Sequence, residues 1–136
     1  MDRRAYREAA FIMLFEADFK IDEDFNEFYA EALEIGGYDD DAYLRGVFFG
    51  VLENKESLDS EIAATAKGWK LSRISKVVLN ILRISVYEML NMTDVPFAVS
   101  INEAVELAKK YDDEKAPKFV NGVLNTVASN KGLKDK

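Results

Sequence analysis

Between Val77 and Leu90 the chain is apolar at positions 77, 78, 79, 81, 82, 84, 86, 87, 89 and 90. One apolar stripe on an α-helix, roughly 100° wide, cannot hold that many. The pattern therefore predicts a helix covered by neighbours on several sides. The run is longer than a usual strand, and Asn80, Arg83 and Glu88 interrupt it too often for a membrane span. The stretch from Trp69 to Leu90, WKLSRISKVVLNILRISVYEML, reads as the central helix of an all-α domain. Arg83 and Glu88 need polar partners there, because an unpaired buried charge costs several kcal/mol. A structural ion pair or cap is expected of them rather than catalysis.

Other elements arrange themselves around that helix. Residues 3 to about 19 carry Ala10, Met13, Leu14 and Ala17 on one stripe and Phe11, Phe15 and Phe19 on a second, at i, i+4 and i+8. Such a helix is sandwiched in the fold or docks a partner, with Phe15 and Phe19 the rings expected at the surface. Asp22 is placed to cap a second helix, roughly 23 to 35, which Gly36-Gly37 ends. Asp39-Asp40-Asp41 resembles a helix start, since it lacks the alternating ligands and terminal Glu of a calcium loop. A long third helix, about 41 to 67, buries Leu44, Val47, Phe48, Val51, Leu52, Leu58, Ile62 and Ala66, and Gly68 closes it.

Beyond the central helix, Asp94-Val95-Pro96 breaks the chain. Ser100-Ile101-Asn102-Glu103 matches a capping box, predicting a helix over about 101 to 111. Pro117 fits the first turn of a last helix, 117 to about 129, that packs through Val120, Val123, Leu124 and Val127. Gly122 lies inside it, at a cost of roughly 1 kcal/mol relative to Ala, which predicts a close approach of a helix or ligand to its backbone. Residues from about 130 to 136 read as a frayed basic tail.

Composition narrows the chemistry. With 136 residues the chain is expected to form a single domain, burying about two thirds of its unfolded surface. It has neither Cys nor His, which excludes thiol chemistry, disulfides, histidine bases and nearly every zinc site. The N-terminus lacks the flanks and cleavage site of a signal peptide, so a cytoplasmic location is expected. There is no phosphate-binding loop, dinucleotide fingerprint or nucleophile elbow, and the carboxylates show no acid–base spacing. No catalytic residue, metal or cofactor is expected.

The charge distribution changes the picture once more. The net charge is −7, yet Glu16 to Glu61 holds fifteen acidic residues against Lys20, Arg45 and Lys55. The two ends together are therefore basic. Arg3, Arg4 and Arg7 sit in the first turns of a helix, against the dipole but beside free backbone N–H groups, an arrangement ready for phosphate. Lys118 and Phe119 stand at the start of the last helix, a cation and a ring of the kind that holds phosphate and unstacked base in single-stranded RNA. Solubility patterning is the plain alternative.

Four segments, RRAYREAAFIMLF, NILRISVYEML, VPFAVSINEAVELAKKY and KFVNGVLN, occur in an order and spacing that resemble the bacterial antitermination factor NusB family. The resemblance covers nearly the whole chain, with residues 20 to 68 matching in pattern only. It implies an all-helical fold of about six to seven helices in two packed bundles. It also implies a non-enzymatic protein that binds the boxA RNA of ribosomal RNA operon leaders. The expected partners are the ribosomal small-subunit protein NusE and the elongating RNA polymerase with other Nus factors. Carried onto this sequence, the RNA-binding residues are Arg3, Arg4, Arg7, Lys118, Phe119 and Asn121. The partner-binding residues are Phe15, Phe19, Ser75 and Val78. Many members carry a charge where Val78 or Leu79 stands here, a departure that falls in the partner region. The short arginine cluster implies weak, salt-dependent RNA binding without the partner.

Two other uses fit the same fold. One is a non-catalytic interaction module, as when a similar domain is fused to an RNA methyltransferase; the chain carries no catalytic extension after Lys136, which favours the RNA reading. The other is homodimerisation through Phe11, Phe15 and Phe19.

Overall fold

A computed structural model describes residues 1–20, 23–66, 68 and 70–135. Asp22, the expected cap, Trp69 at the head of the central stretch, and Lys136 lie outside the described residues. Among those described, there are seven α-helices and no strand.

Short aspartates set the first three helix starts. Asp2 accepts from the Ala5 N–H and opens α1 (Arg3–Ala17). Asp24 accepts from the Asn26 N–H and opens α2 (Phe25–Gly36), which Gly37 ends in the left-handed conformation at φ 68°. Asp41, last of the acidic triplet, accepts from the N–H groups of Tyr43 and Leu44 and opens α3 (Ala42–Glu53).

The expected long third helix is two helices. Asn54 leaves helical geometry at φ −111°, with its side-chain amide turned back onto the Gly50 carbonyl at 2.8 Å. α4 (Lys55–Thr65) then starts. The two pieces have different neighbours, which is why they separate. α3 packs on α1 and on the central helix α5 (Lys76–Asn91), whereas α4 packs on α5 and on the last helix, α7 (Ala116–Asn130). Continuity of the apolar pattern concealed that change of partner.

α1, α2 and α3 form one bundle, and α4, α5, α7 and α6 (Phe97–Tyr111) form the other. α5 contacts both. It is buried from Val78 to Val86 without interruption and again at Glu88 and Met89. Both of its charged residues have the polar partners their surroundings require. Arg83 is held by Asp59 at 2.7 Å and Asp18 at 3.3 Å. Glu88 accepts from Arg7, Tyr43 and Ser100.

That buried carboxylate overturns the expected capping box. α6 begins at Phe97, with Pro96 at its N-cap, so Ser100 lies inside the helix and is fully buried. Each hydroxyl has one proton to give, so Ser85 donates to Ser100 at 2.8 Å and Ser100 donates to Glu88 at 2.9 Å. Gly122 is a second correction. It is exposed, and a Cβ there would meet nothing within 4 Å. A close approach to another helix falls instead at Gly50, where a Cβ would collide with the Tyr87 ring. The tail is also tied down through residue 135. Lys131 pairs with Glu61 at 2.7 Å, and Leu133 packs on the core in a short 3-10 turn.

Candidate nucleic-acid interface

The three N-terminal arginines occupy three different environments. Arg3 is exposed, 4.5 Å above the Tyr43 ring and 3.9 Å from Asp94. Arg4 is exposed too, and its Nε donates to Glu103 on α6 at 3.0 Å. Arg7, one turn on, points inward and is 3 % exposed. It donates to Glu88 at 2.6 Å and lies 5.4 Å from the Tyr43 ring centre. Its charge is matched in the core by Glu88, and only a sliver of it reaches the floor of the groove between α1 and α6. Arg3 and Arg4 are the members of the motif that face outward.

Between α1 and α6 runs an open groove of about 470 Å³, bordered by Arg4, Glu103, Glu106, Lys109 and Lys110. Its cations are engaged by carboxylates. Lys109 meets Glu106 at 3.3 Å, and Lys110 meets Glu8 at 2.6 Å. The Lys110 hydrogen bond is the leading reason that the Glu8 carboxyl is held below the usual range. Tyr111 donates to Glu8 at 2.7 Å; burial first, and this bond second, push its hydroxyl up to about 12, so it stays a donor at neutral pH.

On the far side of α6 the residues at the start of α7 diverge. Lys118 and Asn121, three apart, share the exposed face of α7. Asn121 borders a shallow groove with Asn102 and Val105 of α6, and Asn125 donates to its side chain at 3.1 Å. Phe119 turns the other way. It lines a cleft of about 290 Å³ with Arg73, Ser75 and Val78. The sequence placed Phe119 with the RNA and Ser75 and Val78 with a partner; the fold brings all three together. Val78 is buried on the floor of that cleft, 6 % exposed. Ser75 caps α5, accepting from the Val78 N–H, and donates to Asp112 at 3.1 Å.

Half-buried Phe15 on α1 and Phe19, two residues past its end, form a ridge. Successive ring centres from Phe11 to Phe15 to Phe19 are 6.4 and 5.3 Å apart, and Phe19 is 62 % exposed. Phe11 is buried against the Tyr111 ring at 4.9 Å. Tyr111 adjoins Asp112, the residue that holds Ser75, so ridge and cleft meet at one corner.

The family model described as the NusB family matches residues 4–129. The chain belongs to the NusB family. A transcription antitermination protein NusB from Bacillus licheniformis is 46 % identical over 129 residues, covering 95 % of this chain and 98 % of that protein. Among solved structures, T. maritima NusB superposes with a TM-score of 0.88 at 37 % identity, covering 100 % and 99 % of the two chains. A chain from a crystal structure of the antitermination factors NusB and NusE in complex with dsRNA superposes at 0.83, with 29 % identity over 94 % and 96 %.

Several residues of this candidate interface carry no signal in the sequence. Glu103 was read as half of a capping box and instead holds Arg4. Tyr43 stands between two arginines that are distant from it in sequence. Arg73 and Lys115 had no local signal, since only the meeting of α5 with α7 puts them on one cleft.

Proposed function

We propose that this chain is a non-catalytic transcription antitermination factor that binds boxA RNA of ribosomal RNA operon leaders together with NusE. In that role it joins elongating RNA polymerase with other Nus factors in the cytoplasm and promotes processive elongation. The observation that supports the reading is exposed Arg4 in the groove on one side of α6, with Asn121, which shares the exposed face of α7 with Lys118, in the groove on the other. A single strand crossing α6 meets phosphate-binding cations at both ends. The crystallised complex of a related NusB with NusE and dsRNA supports the same kind of assembly here.

The RNA-binding set is Arg3, Arg4, Lys118, Phe119 and Asn121, with Arg7 and its buried ion pair left out. NusE docks on the Phe15–Phe19 ridge, with Ser75 at its corner. No described helix is long and apolar enough to cross a membrane. Because the cations between α1 and α6 are already matched by carboxylates, the free chain binds RNA weakly, and NusE supplies further basic surface.

The test is binding of labelled boxA RNA and of a scrambled control, at fixed salt, with and without NusE. Preference for boxA that strengthens with NusE supports the proposal. Equal affinity for both RNAs in both conditions overturns it. The exposed ring ridge also suits self-association, and light scattering of the chain alone separates a dimer from a monomer.

A further inference from the structure

We infer that Tyr43 is a positioning residue for RNA binding: its ring holds the Arg3 guanidinium in place at the start of α1 and leaves that cation's N–H groups to the RNA backbone. The inference rests on the RNA reading above and adds to it a buried residue that acts through Arg3.

Tyr43 is fixed at both ends. It is the second residue of α3, and its backbone N–H donates to the Asp41 cap at 2.9 Å. Its hydroxyl donates to the buried Glu88 carboxylate, also at 2.9 Å. Burial, ahead of the Glu88 charge, pushes that hydroxyl up, so it stays a neutral donor. With backbone and hydroxyl both tied, the buried ring keeps one place and presents its face to Arg3.

Arg3 opens α1 with its side chain 48 % exposed and its Cζ 4.5 Å above the ring centre. A ring attracts a guanidinium through its electron-rich face and leaves the N–H edges free. Among the described residues, no hydrogen bond uses the Arg3 donors. Asp94, itself well exposed, lies 3.9 Å away, which is beyond hydrogen-bond length. The other two arginines of the motif differ. Arg4 spends its Nε on Glu103, and Arg7 is committed to Glu88. Arg3 is thus held by a neutral ring with its donors unspent, and those donors match the oxygens of a phosphate. A guanidinium already held loses less rotamer freedom when it binds.

The test measures boxA RNA affinity of the full chain with NusE over a salt series, per folded molecule, with the folded fraction taken from urea unfolding. Arg3→Ala is expected to weaken binding and to lower the slope of log affinity against log salt by about one. Tyr43→Leu removes the ring and keeps the Arg3 charge. It is expected to weaken binding about two- to fivefold with the slope unchanged. Added to Arg3→Ala, it should cost no further affinity, because the two residues act as one unit. Tyr43→Phe gives up the Glu88 bond and some stability, yet keeps the ring and restores wild-type binding. A readout on the wild type requires no variant to fold: the ring current of Tyr43 should shift Arg3 side-chain protons upfield in NMR spectra of the free chain and of the RNA complex. Their return to ordinary arginine positions on RNA binding overturns the inference. So does unchanged affinity in Tyr43→Leu or Arg3→Ala, or a Tyr43→Leu loss that persists in the Arg3→Ala background. Tyr43→Phe as weak as Tyr43→Leu overturns it too, since the hydroxyl's structural bond then accounts for the loss. Absence of any boxA preference in the wild type is a different result, because it overturns the RNA reading itself.

Discussion

The Arg7 guanidinium closes on the Glu88 carboxylate at 2.6 Å, with the two side chains 4 % and 0 % exposed. The pair joins α1 to α5 across 81 positions of sequence, and Tyr43 and Ser100 complete the carboxylate's hydrogen bonds from α3 and α6. One buried acid thus ties four helices together.

Removing the cation alone strands that acid. Arg7→Ala is expected to cost about 3–5 kcal/mol of stability, read as a shift of the urea unfolding midpoint. RNA affinity per folded molecule should be unchanged. A loss of affinity without a loss of stability would return Arg7 to the RNA surface.

Asp18 makes stability depend on acid. Burial by itself pushes its carboxyl up, but hydrogen bonds from Lys55 and Asn80 and the charges of Lys55 and Arg83 outweigh it and hold the group below its ordinary range. The folded value therefore lies below the unfolded one, about 4. Its contribution is fully present above about pH 4 and is lost as pH falls through the folded value. Urea unfolding between pH 6 and 3 should show this decline. Asp18→Asn should be less stable at pH 6 and should lose less further stability on acidification; parallel curves for the two proteins would contradict it.

Two glycines should respond in opposite directions. Gly122→Ala adds a methyl group to open space in a helix and is expected to stabilise by about 0.5–1 kcal/mol. Gly50→Ala sets a methyl group against the Tyr87 ring and is expected to destabilise by about 1–3 kcal/mol. Thermal melts of both variants decide the signs.

RNA binding should separate stacking from charge. Phe119→Ala is expected to weaken boxA binding by about 1–3 kcal/mol while the domain stays folded. Arg4→Ala should reduce the salt slope by about one and weaken boxA and scrambled RNA alike. Titrations at several salt concentrations distinguish the two effects. An unchanged affinity for Phe119→Ala would move the base contact elsewhere.

Local chemistry made much of the molecule legible in the sequence. Apolar spacing located the helices, Asp41 and the Gly36-Gly37 pair marked a start and a stop, and the all-round apolar run from 77 to 90 identified the centre. Arg83 and Glu88 had to be paired, since no buried charge persists alone. The sequence could not say with what, because partners such as Arg7 and Asp18 lie far away along the chain. Nor could it show that α3 and α4 part at Asn54, since an apolar stripe records burial and not the neighbour that covers it.

The same limit governed the candidate site. Three arginines in one helical turn and a half share a charge, and only packing against α5 turned Arg7 inward while leaving Arg3 and Arg4 outside. Ser100 and Glu103 had the spacing of a capping box, yet a buried carboxylate claimed the serine and an arginine claimed the glutamate. Residue types and their helical spacing are local properties, so the sequence by itself determined the fold class, the helical segments though not all their breaks, and the family. Which charges face water, and which residues share a cleft, depend on contacts between helices, and those the tertiary structure alone decided.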